Sequence, residues 1–594
     1  EKLPVFMNFR RLKFRILGTI ALVFAIDLAK TVIAGESAGD GEKKVLEGHS
    51  YHGEAFNEGP RSSAYLMKGM GRVRFPVTTS AQEAQLFFTQ GVAQLHGFWH
   101  FEAERSFRQA AMLDPDCAMA YWGMAVANRG NTERAKGFIA EAKKRRAKAG
   151  KREQLWIDSE VNYWADTKKA KKDRRRKMIR DLESIIFEYP DDIEAKAFLA
   201  VWLWQSARDG LPIHSHGAVT ALIEDVLDVE PMHPCHHFRI HLWDNEKAER
   251  ALASAARCGQ GSPGIAHMWH MPGHILSRLK RYHDATWQQE ASARVDHAHM
   301  MRDRVMPDEI HNFAHNNEWL TRNLDYAGRV HHAVTMAKNM IELPRLPSVK
   351  DDGTWTVSTR SSHAYGRRHL HGLLANYELW DEILALKDTH YLHPGNNAAD
   401  KAKYWRLVSS AYFNKDQIDE GNTMLADMEK LLTKQREGKT KAGEAAAAKA
   451  KTEKKKESDI RKAKSAAERS YNTAITALER GIAEAKMHRA FQAGNKEEAK
   501  ANFAKAGSFR NDRKAIIQLR LGNTAEAIKM AESAVKSGAE QARPLATQAF
   551  ILHAAGKPAE AKAALDHLRR IAPQLDLDTE CFARLAPLAK SLIS

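Results

Sequence analysis

Apolar and small residues recur from residue 80 onward at the spacing of paired helices. The clearest unit consists of Phe87, Gly91, Ala103, Phe107, Ala110 and Pro115. A small residue lets two helices approach closely, and a proline ends the second helix. A Gly-Asn/Lys-x-x-Glu-Ala turn also appears three times near the C-terminus, at Gly494, Gly522 and Gly556. The pattern predicts an all-α chain of helical hairpins.

These offsets resemble those of the 34-residue tetratricopeptide repeat (TPR), and Trp269, Gly273, Tyr282 and Ala285 match the same template. The stretches QGVAQLHGFWHFEAERSFRQAAMLDPDCAMAYWGMA and HMPGHILSR are similar to exported bacterial TPR proteins of unsettled function. The resemblance covers most of residues 80–575. It implies a TPR-like helix-turn-helix solenoid, a superhelical array with charged helical insertions.

Shifts in composition divide the chain further. We expect a signal peptide or N-terminal anchor at 1–34, a linker or extended arm at 35–79, N-terminal repeats at 80–232 with a basic insertion at 141–180, central histidine-rich repeats at 233–428, an Ala/Lys/Glu-rich insertion at 429–470, and C-terminal repeats at 471–594.

The N-terminal segment indicates the compartment. Basic residues precede an apolar run at 16–26, and small or tolerated residues at 32–34 offer a cleavage site. This order is typical of a secretory signal peptide. We therefore expect an exported protein, periplasmic or extracellular, which would be membrane-anchored if the segment is retained.

The charge is basic but uneven. The net charge is +17, and residues 141–180 hold 16 Lys/Arg against 6 Asp/Glu. A basic surface can bind nucleic acid or anionic lipid. No RNA-binding signature or interleaved aromatic residues accompany this charge, so we do not expect nucleic acid as a partner. We expect membrane contact only through the N-terminal segment if it is uncleaved.

Histidine is concentrated in the centre of the chain, where 21 of the 28 lie between His214 and His393. Three pairs have a spacing of four residues, which places two imidazoles on one helix face as a metal site requires. A carboxylate follows two of the pairs by three residues. The predicted metal ligands are His237, His241, Asp244, His267, His270, His274, His311, His315 and Glu318.

The TPR resemblance implies that His267, His270 and His274 line the concave groove, where such arrays bind their ligands. Adjacent repeats are about 10 Å apart, so one or two sites fit better than one six-ligand site. Imidazole and carboxylate ligands suit zinc, iron, manganese or copper. Nearby methionines, including Met268 and Met271, favour copper, with zinc or iron as the alternatives.

Three functions remain open. The first is an exported TPR scaffold whose central groove binds a transition metal and serves a partner protein or a small ligand. The second is a metal-free scaffold for protein–protein assembly on the concave surface, with the histidines as groove lining. The third is a metal-dependent enzyme of unknown substrate. Catalytic residues are not assigned, because the sequence contains no HExxH, GxSxG, Walker or dinucleotide-binding motif.

Overall fold

A computed structural model describes residues 62–307, 310, 312–345, 348–349, 355–356, 360–395, 397–507 and 509–591. The expected leader at 1–34 and part of the expected arm lie outside this range. The α-helices are α1 Gln82–His96, α2 His100–Leu113, α3 Ala118–Ala127, α4 Thr132–Arg145, α5 Lys151–Trp164, α6 Lys171–Glu188, α7 Ile193–Ser206, α8 His216–Val229, α9 His236–Trp243, α10 Leu252–Gly261, α11 Ala266–Arg278, α12 Tyr282–Asp303, α13 Phe313–Tyr326, α14 Val330–Glu342, α15 Ser362–Asn376, α16 Trp380–Leu386, α17 Ala398–Asn414, α18 Ile418–Thr452, α19 Glu457–Gln492, α20 Lys496–Phe503, α21 Asn511–Arg520, α22 Thr524–Ser537, α23 Ala542–Ala554, α24 Pro558–Ile571, α25 Glu580–Ala583 and α26 Ala586–Ser591.

Consecutive helices pack as hairpins, which confirms the all-α, TPR-like solenoid. The pairs α1–α2, α3–α4, α11–α12, α14–α15 and α23–α24 make extensive contacts. A Cβ atom built on Gly91 of α1 would lie 2.6 Å from the ring of Phe107 on α2, and one on Gly123 would lie 2.5 Å from the same ring. Glycine at both positions therefore lets three helices close around one phenylalanine.

The segment before α1 packs against the first repeats. Phe75 is buried, and its ring centroid lies 5.7 Å from that of Trp122 and 5.0 Å from that of Trp156. Trp156 belongs to α5, inside the basic stretch 141–180. That stretch is helical, but it is not an interruption of the array, since α5 contributes one of the largest buried side chains of the N-terminal core.

The Ala/Lys/Glu-rich segment 429–470 forms the outer part of a long hairpin made by α18 and α19. The turn between them contains Lys454 in the left-handed conformation. Gly438 gives the two helices a close approach, because its Cβ would lie 2.8 Å from the ring of Tyr471. Most residues toward the tip are exposed, as the charged composition requires.

The C-terminal helices return to the centre of the chain. One hydrophobic core contains Leu320, Leu373 and Leu407 together with Leu545 and Phe582. The units therefore contact more than their sequence neighbours, unlike an open solenoid. Two short strands, β1 Ser348–Val349 and β2 Trp355–Thr356, pair in antiparallel fashion, a small exception to the all-α prediction. Within the described part of the chain, no helix has both the length and the apolar character needed to cross a membrane.

Candidate metal centre

Two groups of three histidines lie side by side in the central repeats. The first triad consists of His237, His241 and His267, and the second triad of His270, His274 and His315. Within each triad, one ring nitrogen from every histidine lies within 4.8 Å of the corresponding nitrogens of the other two. Three converging imidazoles are a known ligand set for a transition metal.

Both triads are built in the same way. Helix α9 supplies His237 and His241, and α11 adds His267. Two helices further along, α11 supplies His270 and His274, and α13 adds His315. Each triad thus combines a pair spaced by four residues with one histidine from another helix.

The triads adjoin each other through α11. The rings of His267 and His270 are stacked, with centroids 5.7 Å apart and planes 25° apart. His237 and His267 are 4.8 Å apart within the first triad, and His270 and His315 are 5.0 Å apart within the second. The six imidazoles consequently form one continuous array.

Protein acceptors fix the orientation of three of the rings. The Nδ1 atom of His237 donates to the backbone carbonyl of His96 at 2.6 Å. His270 Nδ1 donates to Gln289 Oε1 at 2.6 Å, and His274 Nδ1 faces a carboxylate oxygen of Asp244 at 3.2 Å. An imidazole that donates from Nδ1 keeps the lone pair on Nε2, which is how metal-binding histidines are usually held.

Four Nε2 atoms face another imidazole or have no protein partner among the described residues. In the second triad, Nε2 of His270 lies 2.8 Å from Nε2 of His274. In the first triad, Nε2 of His237 and Nε2 of His241 are buried, and neither has a hydrogen-bond partner among the described residues. Buried polar atoms are normally satisfied, so these nitrogens are suited to an additional ligand.

Burial favours the neutral form of four of the six rings. It lowers the pKa of His237 to about 3 and that of His315 to about 4. Burial, with a contribution from neighbouring imidazoles, also lowers the pKa values of His241 and His270 well below their usual range. Neutral imidazole is the form that binds metal, so little proton competition is expected at neutral pH.

Gln289 occupies space that is free because Gly273 has no side chain. A Cβ atom on Gly273 would lie 2.1 Å from Nε2 of Gln289. Through that close approach Gln289 donates from Nε2 to the carbonyl of His270 and accepts from the ring of His270. The sequence HMPGH at residues 270–274 therefore contains two candidate ligands, His270 and His274. It also contains Gly273, whose missing side chain leaves room for Gln289.

Aromatic rings line both triads. Trp204 of α7 stacks on His241 with centroids 4.3 Å apart, and Trp319 of α13 stacks on His274 at 4.0 Å. Phe98, between α1 and α2, contacts His237 edge-on at 4.5 Å. Phe98 has a φ of 56°, a costly conformation for a bulky residue and one that is concentrated at functional sites.

The two predicted carboxylate ligands have other partners. Asp244 contacts the Nδ1 side of His274 and pairs with Arg278 at 3.2 Å. It therefore orients the candidate ligand His274 and is not itself placed as a ligand. Glu318 pairs with Arg322 and lies 3.3 Å from Nε2 of His369. Although burial opposes its ionisation, these partners hold the pKa of Glu318 at about 2. His311 lies outside the described residues.

A third buried group, which the sequence did not indicate, consists of His96, Glu194 and His233. Glu194 lies 2.8 Å from His96 Nε2 and 3.2 Å from His233 Nε2, and also accepts the backbone N–H of Arg74. His233 Nδ1 accepts the backbone N–H of Cys235, so both nitrogens of that ring are engaged. This group is a hydrogen-bonded support, and the carbonyl of its His96 orients His237.

Comparisons with known proteins assign no family to the chain. No protein-family description matches the chain, and no curated protein matches it in sequence. Solved structures with related helical arrangements include the Cut9–Hcn1 hetero-tetramer of the APC/C (11% identity, TM-score 0.26, 85% of this chain and 78% of that one), the human IFIT1 dimer with m7Gppp-AAAA (11%, 0.25, 77% and 90%) and the P58(IPK) TPR domain (10%, 0.21, 86% and 98%). The TPR-like character of the chain rests on the helix pairing described above.

Proposed function

We propose that this TPR-like scaffold binds a transition metal, with one ion in each histidine triad. The observation that carries the proposal is the shared orientation of His237, His270 and His274. Each donates from Nδ1 to a protein acceptor. The Nε2 atoms of His270 and His274 face each other, and that of His237 is buried without a hydrogen-bond partner among the described residues. A packing role would not require these three rings to adopt the same tautomer around two common points.

Copper is the favoured metal, with zinc or iron as alternatives. Neutral imidazoles suit all three, and copper(II) binds nitrogen ligands most strongly among the divalent first-row metals. The methionines give this preference no further support, because Met268 and Met271 are buried in the hydrophobic core. The preference therefore rests on the imidazoles.

The metal would serve a partner protein or a small ligand that approaches the concave face of the repeats. His241, His267, His274 and His315 are only partly buried, so each triad has one side toward the surface. We also propose that the protein is exported, on the basis of the leader-like pattern at 1–34.

Elemental analysis of the purified protein tests the proposal. Wild-type protein loaded with copper(II) or zinc(II) and then desalted should retain about two ions per chain. His237→Ala/His241→Ala and His270→Ala/His274→Ala should each lose about one of them. His283→Ala/His297→Ala, which removes two exposed imidazoles of α12, is the matched control and should retain both.

Circular dichroism of each variant shows whether the loss of metal accompanies unfolding. Nitrogen hyperfine structure in the electron paramagnetic resonance of the copper(II)-loaded wild type provides a readout that needs no mutation. A wild-type protein that retains no metal, or triad variants that retain as much as the control, would leave the histidines as the polar lining of a metal-free scaffold.

A further inference from the structure

A cavity separate from the histidine triads lies between α15, α17, α19 and α21. Its volume is about 990 Å³, and none of the triad histidines lines it. This volume is in the range of pockets for small organic molecules, which usually occupy about 300–1,000 Å³. A ligand of that size, rather than a macromolecule, suits the cavity.

The lining is strongly basic. It contains five arginines and one lysine against two carboxylates, those of Asp400 and Glu484. Both carboxylates are already engaged within the protein. Asp400 contacts Lys403 and the side chain of Asn397, and Glu484 pairs with both Arg406 and Arg513. Four positive charges are left without a carboxylate in the lining to offset them.

The protein holds part of this charge away from water. Arg513 is buried, and its Nε atom has no hydrogen-bond partner among the described residues. Arg367 donates to the backbone carbonyls of His390 and His393, contacts that orient the guanidinium but do not neutralise it. A fixed guanidinium presents its donors to an oxyanion with little entropic cost.

The cavity also has an apolar side. Trp380 and Phe509 belong to the lining, and the guanidinium carbon of Arg513 lies 5.0 Å from the ring centroid of Phe509. An arginine packed on an aromatic ring next to further arginines fits a ligand that combines charged oxygens with an apolar or ring-shaped body.

We infer that this cavity binds a small organic polyanion through phosphate or carboxylate groups held by Arg368, Arg510 and Arg513. A single negative charge would leave most of the positive charge uncompensated, so at least two anionic groups are expected on the ligand. Arg368 and Arg510 are exposed at the cavity. Arg368 packs on the ring of Tyr365, and Arg510 lies 3.9 Å from Asp512, whose carboxylate is already paired with Arg543.

Isothermal titration calorimetry of the full chain tests this inference with three probes: pyrophosphate, citrate and adenosine triphosphate. Pyrophosphate and citrate distinguish phosphate from carboxylate recognition, and adenosine triphosphate adds a ring. Arg368→Glu/Arg510→Glu should weaken the tightest of these by roughly tenfold or more. Arg461→Glu/Arg469→Glu, exposed on α19 away from the cavity, changes the net charge equally and should weaken it by less than about twofold.

Absence of binding by all three probes would overturn the inference. Equal weakening in the cavity variant and the control variant would overturn it as well, because it would show attraction to the overall charge alone. The outcome does not depend on the metal, since neither variant alters a triad residue.

Discussion

The Nε2 atoms of His270 and His274 lie 2.8 Å apart although the Nδ1 atom of each ring already faces a protein acceptor. Two nitrogens that both carry lone pairs repel at this distance. The pair therefore requires a shared proton or a bound cation. Burial lowers the pKa of His270 well below its usual range, which disfavours a proton on that ring and is consistent with the bound metal proposed above.

Asp244→Asn should weaken metal binding at the second triad and leave the first unchanged. The carboxylate behind His274 raises the basicity of that ring, and loss of such support typically costs about 10–100-fold in metal affinity. Competition titration with a chromophoric chelator measures the two affinities. Arg278→Gln removes the other partner of Asp244 without touching His274 and serves as the control. Identical affinities in Asp244→Asn and wild type would contradict this role for the carboxylate.

Gly273→Ala should displace Gln289, because the added Cβ would lie 2.1 Å from its Nε2 atom. We expect a loss of roughly 1–3 kcal/mol in the free energy of unfolding from overpacking, together with weaker binding at the second triad. Gly372→Ala is the matched control, since its Cβ would meet no atom closer than 4.0 Å. Urea titration and metal-competition titration of both variants measure the two effects. A Gly273→Ala protein that is as stable as the control and binds metal as tightly would contradict the prediction.

The sequence predicted the paired histidines because a helix fixes the geometry of residues four apart. His237 with His241 and His270 with His274 follow from that rule alone. The third imidazole of each triad depends on how α9, α11 and α13 are placed side by side, and local spacing does not determine this. The carbonyl of His96, which orients His237, is 141 residues away in sequence, so no motif could have revealed it.

The two carboxylates show why a regular pattern can mislead. Asp244 and Glu318 each follow a histidine by three residues, which suggested a continuous ligand stripe. Asp244 instead reaches the Nδ1 side of His274, and Glu318 is engaged by Arg322 and His369. Nearby charged partners, Arg278 for Asp244 and Arg322 for Glu318, compete for a carboxylate more effectively than for a neutral imidazole. The hairpin fold was predictable because its signal repeats along the chain.

Gly91→Ala tests the helix pairing of the first repeat. The new methyl group would lie 2.6 Å from the ring of Phe107, which is fully buried and contacts Gly123 on its other side. We expect a loss of roughly 1–3 kcal/mol in the free energy of unfolding. Gly130→Ala places its methyl group where nothing lies within 4 Å and should be neutral or slightly stabilising. Thermal and urea unfolding compare the two, and equal stabilities would show that the first hairpin is not packed as described.

Asp296 on α12 should make stability depend on pH. Burial raises the pKa of this carboxyl to about 7, and a hydrogen bond from Asn316 at 2.9 Å only partly opposes the effect. The folded pKa lies above the unfolded value of about 4. The folded state therefore binds more protons between these values, and the stabilisation is present at low pH and lost as the pH rises through about 7.

Asp296→Asn keeps the size of the side chain and removes its titration. The free energy of unfolding of this variant should therefore fall less than that of the wild type between pH 5 and pH 8, as urea titrations at both pH values would show. Parallel pH profiles for the two proteins would mean that Asp296 ionises normally in the folded chain.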